Sequence, residues 1–132
     1  MRRTALAAVA VVLGISACGG ADPDSPEGVA KSFVVAVEWG DAKTVCSLVG
    51  RELKFLITGV STSAGGHEVS CEAGFRAGPR MFTSDAKMKS PATNDVNVTG
   101  QKATVTVEDS GRSVKVWLEK ENGDWKVVDL RE

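Results

Sequence analysis

The chain has 132 residues, with 16 basic and 17 acidic side chains and one histidine, for a net charge of −1 at pH 7. That length accommodates one domain and not two. The near balance of charge excludes a general nucleic-acid binder, which needs a basic excess. Outside the N-terminal run, no stretch is long and apolar enough to cross a bilayer.

The chain opens MRRTALAAVAVVLGISACGG. Arg2 and Arg3 form a basic start, and Ala5 to Ile15 is an apolar run of eleven residues. As a helix at ~1.5 Å per residue that run spans roughly 16 Å, about half of a ~30 Å hydrocarbon core. A basic start, a short apolar middle and a small-residue exit are the parts of a secretory signal. Ile15-Ser16-Ala17-Cys18 resembles a bacterial lipobox, with small residues for a peptidase cleft and a thiol for a diacylglycerol thioether. Residues 1–18 therefore read as a lipoprotein signal: cleavage after residue 17, lipid on Cys18, and anchoring to the outer, extracytoplasmic face of the cell membrane. Arg2-Arg3 lacks the context of twin-arginine export in Thr4-Ala5-Leu6, so general secretion is expected. A plain signal or an uncleaved anchor is the alternative. Residues 18–26 form the lipidated cysteine and a flexible tether rich in Gly, Pro and acid, and 27–132 the folded domain. Removing 1–17 leaves 14 basic against 17 acidic residues, a net charge of −3.

Cys18 given to lipid leaves Cys46 and Cys71, a pair with one connectivity. An exported protein meets an oxidising compartment, so a Cys46–Cys71 disulfide is expected. Two buried thiols are the alternative. Two cysteines and one histidine fall short of the usual four zinc ligands, so no metal site is expected.

Val29, Phe33 and Val37, with Ala30 and Val34 beside them, form one helical stripe over 26–39. Asp24 or Ser25 can cap it, Pro26 suits its first turn, and Gly40 stops it. Asp41 caps a second helix over 42–50. RELKFLIT (51–58) fits helix or strand, and GVSTSAGG (59–66) reads as loop. A short helix is expected around Cys71 over 67–77. Residues 78–95 read as irregular, with Met81 and Phe82 as an inward anchor. From Val96 the period becomes two: Val96 and Val98, then Ala103, Val105 and Val107, then Val114, Val116 and Leu118, then a last strand from Trp125 to Leu130. Asp109-Ser110-Gly111 and Asn122-Gly123 are turn signals. Short connections make neighbours antiparallel, giving an α+β domain in which N-terminal helices pack on a curved antiparallel meander.

The run GDAKTVCSLV (40–49) and the ending VTGQKATVTVEDSG…VKVWLEKENGDWKVVDL (98–130) resemble the nuclear transport factor 2-like (cystatin-like) superfamily, in its small secreted-lipoprotein branch. The resemblance covers 27–130. It implies a cone-shaped sheet wrapped round a helix, with an apolar pocket at the open end. In this chain Phe33, Val37, Val105 and Val116 would line it. Enzymes of that superfamily place an Asp–His pair in the pocket; this chain has no histidine in the first helix or the strands. The fold alone implies no function.

His67, beside Glu68, follows a Gly-Gly loop, and Asp41 is more simply a helix cap than a base. No nucleophile motif or phosphate loop is present, so no enzymatic activity, catalytic residue or cofactor is expected. Asn97-Val98-Thr99 matches a glycosylation sequon but lies in a predicted strand. Trp117 points opposite to Val116 and Leu118, towards solvent or a covering element. Arg76, Arg80, Lys87 and Lys89 make one stretch basic, either as a solvated loop or against anionic lipid head groups. The reading is a membrane-anchored, non-catalytic binding or accessory module for a small lipophilic ligand. The alternative is an envelope protein–protein interaction module, with a cyclase- or isomerase-like enzyme behind both.

Overall fold

A computed structural model describes residues 22–62, 70–82 and 87–132. The lipobox, Cys18, most of the tether, His67 and Glu68 lie outside them. The described residues form an α+β domain: α1 (Pro26–Trp39), α2 (Ala42–Leu48), α3 (Arg51–Thr62), α4 (Cys71–Ala77), β1 (Ala92–Thr99), β2 (Lys102–Asp109), β3 (Arg112–Glu121) and β4 (Asp124–Arg131).

The first helix follows its sequence signals. Ser25 Oγ accepts from the Gly28 N–H at 3.1 Å, and Pro26 occupies the first turn. Gly40 ends it at φ 70°, a left-handed conformation that costs other residues free energy. Asp41 then caps α2, accepting from the Thr44 N–H at 3.1 Å and the Thr44 hydroxyl at 2.6 Å. Those two bonds, the hydroxyl's foremost, hold the Asp41 carboxyl below its ordinary pKa.

The third helix departs from its expected bounds. It runs through Gly59 to Thr62, where composition predicts loop from 59. Its N-terminus is capped from across the fold: the Glu121 carboxylate accepts from the Arg51 N–H at 3.1 Å. Next to it, the Gly50 N–H donates to the Val127 carbonyl at 2.8 Å. Packing on α4 and β4 outweighs the ~1 kcal/mol that a helical glycine costs. Similarly, β1 starts at Ala92, inside the stretch expected to be irregular, because it finds hydrogen-bonding partners in β2.

The four strands form one antiparallel sheet in the order β1-β2-β3-β4. Its hairpins turn at Gly100-Gln101, Ser110-Gly111 and Asn122-Gly123. Positive φ at 52° and 85° makes the last a turn that matches strand twist. Alternation places Ala103, Val105, Val107, Val114, Val116, Leu118, Trp125 and Val127 on the inner face, where all are buried. Phe33 and Val34 of α1 press into that face at 0% exposure. A fully buried aromatic of this size contributes about 2–3 kcal/mol. Phe82 joins this core, and Met81 packs against it. Register shifts fall between Asn94 and Asn97 and at Trp117/Leu118, opposite Asp129 and Val127. Such bulges bend strands. The first one breaks the alternation expected for Val96 and Val98, which are 40% and 52% exposed.

Candidate functional site

Phe33, Val105 and Val116 lie in the packed core with no solvent exposure. Of the four residues expected to line a pocket, Val37 is the one on the wall of a cleft beyond the core. This cleft, of about 400 Å³, opens where α1 ends. The last turn of α1 supplies Val37, Glu38 and Trp39, and α4 supplies Phe75 and Arg76. The segment 78–82 closes it with Pro79, Arg80, Met81 and Phe82, and Lys87 completes the rim.

Each of these side chains is placed by local structure. The helical spacing of α1 turns Val37 inward and leaves Trp39, two residues on, 56% exposed. Cys46 and Cys71 sit with their sulfurs 2.08 Å apart and their Cα atoms 6.0 Å apart, joining α2 to α4. That bond holds the helix carrying Phe75 and Arg76 against the rest of the helical layer. Ser70 caps α4, its hydroxyl accepting from the Ala73 N–H at 3.2 Å. Segment 87–90 is tied to the sheet by Asp109, whose carboxylate accepts from the Lys89 N–H at 2.6 Å and the Ser90 N–H at 3.0 Å. The Ser90 and Lys89 amides lower the Asp109 pKa. Beside them Met88 enters the core at 1% exposure.

The cleft is apolar below and cationic above. Phe75, Met81 and Phe82 form its floor, and Arg76, Arg80 and Lys87 stand on its rim. Lys87 Nζ lies 4.6 Å from the centre of the Trp39 ring, within cation–π range. The acid in the lining, Glu38, is occupied: Arg112 Nη1 donates to its Oε1 at 2.7 Å. Glu38's side chain is 4% exposed and that of Arg112 is 14%. Arg112 also donates to Glu132 at 2.6 Å, and its guanidinium lies 5.7 Å from the Phe82 ring centre. Burial works against the Arg112 cation, but the bonds to Glu132 and Glu38 outweigh it, and its pKa rises. With Glu38 engaged in this way, Arg76 and Lys87 present positive charge to the cleft.

A second groove, of about 190 Å³, lies on the other side of the 78–81 ridge and shares Phe75, Pro79 and Met81 with the first. Leu56 and Ile57 of α3 line its far wall. On the outer face of the sheet, Trp117 is half-buried between Lys115 and Arg131, at 5.4 Å and 5.3 Å. A depression of about 310 Å³ runs beside it. A fourth depression, at the start of α3, is lined by Arg51, Glu52, Glu119, Glu121, Asn122 and Val128. Among the described residues, no three His, Cys, Asp or Glu side chains gather as metal ligands, and no helix is long and apolar enough to cross a membrane.

Arg112, Met88 and Phe75 carry the cleft's construction and were not singled out from sequence. Phe75 was signalled by its place four residues after Cys71, on the same face of α4. Arg112 had no comparable signal, because its partner Glu38 is 74 residues away. Comparison with protein-family models, with curated proteins and with solved structures returned no match.

Proposed function

We propose that the chain is the precursor of a membrane-anchored, extracytoplasmic lipoprotein. Its domain would be a non-catalytic binding module for a small lipophilic ligand bearing a negative charge. The observation that carries the ligand reading is the cleft at the end of α1, lined by Phe75, Met81 and Phe82 with Arg76 and Lys87 beside them. An acyl chain or ring system matches the floor, and a carboxylate or phosphate matches the rim. The anchor rests on Ile15-Ser16-Ala17-Cys18 and on two acyl chains holding where one does not. The nuclear transport factor 2-like reading is supported by the order of elements, helices first and then a meander closing on Gly123-Asp124-Trp125. Glu38 is the acid in the cleft lining among the described residues, and its engagement by Arg112 favours binding over acid–base chemistry.

The test uses the chain from residue 19, which contains every described element, purified from an oxidising compartment. Native mass spectrometry before and after gentle denaturation reads any retained small molecule. Titration of the emptied protein with oleate, followed by tryptophan fluorescence, reads the site. Saturable binding is expected, weakened about tenfold or more by Arg76→Glu, because a charge-assisted contact becomes a repulsion. No retained molecule and no oleate binding would leave the cleft without a ligand. That result would favour the envelope interaction module, whose best surface is the open edge of β1 with Val96 and Val98 exposed.

A further inference from the structure

The third helix turns two large apolar side chains outward. Phe55 is 74% exposed and Leu56 is 61% exposed, while Leu53 and Ile57 of the same helix face the core. Lone exposed apolar residues are ordinary; an adjacent aromatic–aliphatic pair beside an apolar groove is not. Leu56 continues into the groove walled by Phe75, Pro79 and Met81. The charge around this pair has a basic excess, with Glu52 one turn before it on α3. The described residues of α3, α4 and 78–82 carry four basic side chains, Arg51, Lys54, Arg76 and Arg80, and two acidic ones, Glu52 and Glu72. The whole chain is slightly acidic. The α3–α4 side is therefore modestly basic and apolar-tipped on a slightly acidic protein.

The start of the fold limits how far that face can be from lipid. The Asp22 carbonyl accepts from the Ser25 N–H at 2.9 Å and the Ser25 hydroxyl at 2.6 Å, so the chain is already fixed to α1 at Asp22. From Cys18 to Asp22 is four residues, a reach of at most about 14 Å. A domain of this size has a radius of gyration of about 13 Å. A lipid on Cys18 would thus keep the domain within contact distance of the bilayer.

We propose that α3 and the α4 and 78–82 segments beside it dock on the anionic lipid surface of the membrane, with Phe55 and Leu56 inserted at the head-group level. The pair supplies buried apolar area, and Lys54 and Arg76 supply attraction to anionic head groups. The docking rests on the lipoprotein reading for the membrane's proximity, and on the exposed pair and local charge for the face that meets it.

The test takes the chain from residue 19, without lipid, so that its result does not depend on Cys18. Co-sedimentation is measured with phosphatidylglycerol vesicles and with phosphatidylcholine vesicles. Binding to the anionic vesicles is expected, falling as salt is raised. Lys54→Gln weakens it roughly fivefold, since each basic residue near such a surface contributes about a fivefold gain in partitioning. The double variant Phe55→Asp/Leu56→Asp weakens it by at least about tenfold. Its melting temperature stays at the parent value, because both side chains are exposed, and it still binds oleate in the separate cleft. Two results overturn the docking: equal affinity of parent and double variant for phosphatidylglycerol vesicles, or no binding by the folded parent. A concentration-dependent dimer that Phe55→Asp/Leu56→Asp abolishes would also overturn it, by assigning the face to a second copy of the chain.

Discussion

The paired substitution Cys46→Ala/Cys71→Ala is expected to lower unfolding free energy by roughly 3–4 kcal/mol, read as a drop in the denaturation midpoint with an unchanged or steeper slope. The bond closes a loop with a sequence separation of 25 residues, and opening it returns that loop's conformational freedom to the unfolded chain. The loss is not spread evenly. Helix α4 has seven residues and is too short to persist alone. It is held by the bond to α2, by α3, and by Phe75 packed against the core. Hydrogen exchange in the variant should therefore rise first in α4 and 78–82, while α1 and β2 to β4 keep their protection. Since α4 supplies the cleft with Phe75 and Arg76, oleate binding should weaken in parallel. A variant with parental stability, or one that loosens uniformly, would contradict this account of the helical layer.

Arg112→Met is expected to cost about 3 kcal/mol, because removing one partner leaves the buried Glu38 carboxylate uncompensated. For a domain of this length that is a fall of roughly 10–15 °C in melting temperature. The double variant Glu38→Leu/Arg112→Met should recover most of the loss, since two apolar side chains fill the same space without an orphaned charge. A double-mutant cycle gives the coupling directly. The pair joins the last turn of α1 to the β2–β3 hairpin, directly under the cleft, and Arg112 also reaches Glu132 beside the Phe82 ring. Strict additivity of the two substitutions would show that the pair is not coupled, and that the end of α1 is fixed by apolar contacts alone.

The legible parts of the fold are those whose instructions are local. Ser25, Pro26, the stripe through Phe33 and the left-handed Gly40 lie within one continuous segment, and α1 forms where they indicate. Alternating valines and two-residue turns likewise define β2, β3 and β4. The misread parts depend on distant residues. Helix α3 receives its cap from Glu121, 70 positions away, so its own sequence leaves helix and strand equally open. Strand β1 takes its form from pairing with β2 and contributes little buried surface, which removes the periodicity that would announce it.

The site was less legible than the fold. Periodicity correctly turned Phe33, Val105 and Val116 inward, but it says nothing of whether the inward volume is filled. Phe33, Met88 and Leu118 fill it, and the open space lies one helical turn further on, beside Val37 and Trp39. That cleft is assembled from the end of α1, the end of α4 and the 78–82 segment, whose approach depends on Cys46–Cys71 and Glu38–Arg112. The basic character of this region was visible as Arg76, Arg80 and Lys87. Its apolar complement was not, because Phe55 and Leu56 read equally well as core residues until α3 turned them outward.

The measurement that tests the anchored binding module most directly is the intact mass and N-terminal peptide of the full chain, expressed in a bacterium and extracted from its membrane fraction with detergent. The account predicts a protein beginning at Cys18, with a diacylglycerol thioether on that residue, which Cys18→Ser abolishes together with membrane retention. A protein that keeps residues 1–17, or one that is cleaved and released without lipid, would contradict it.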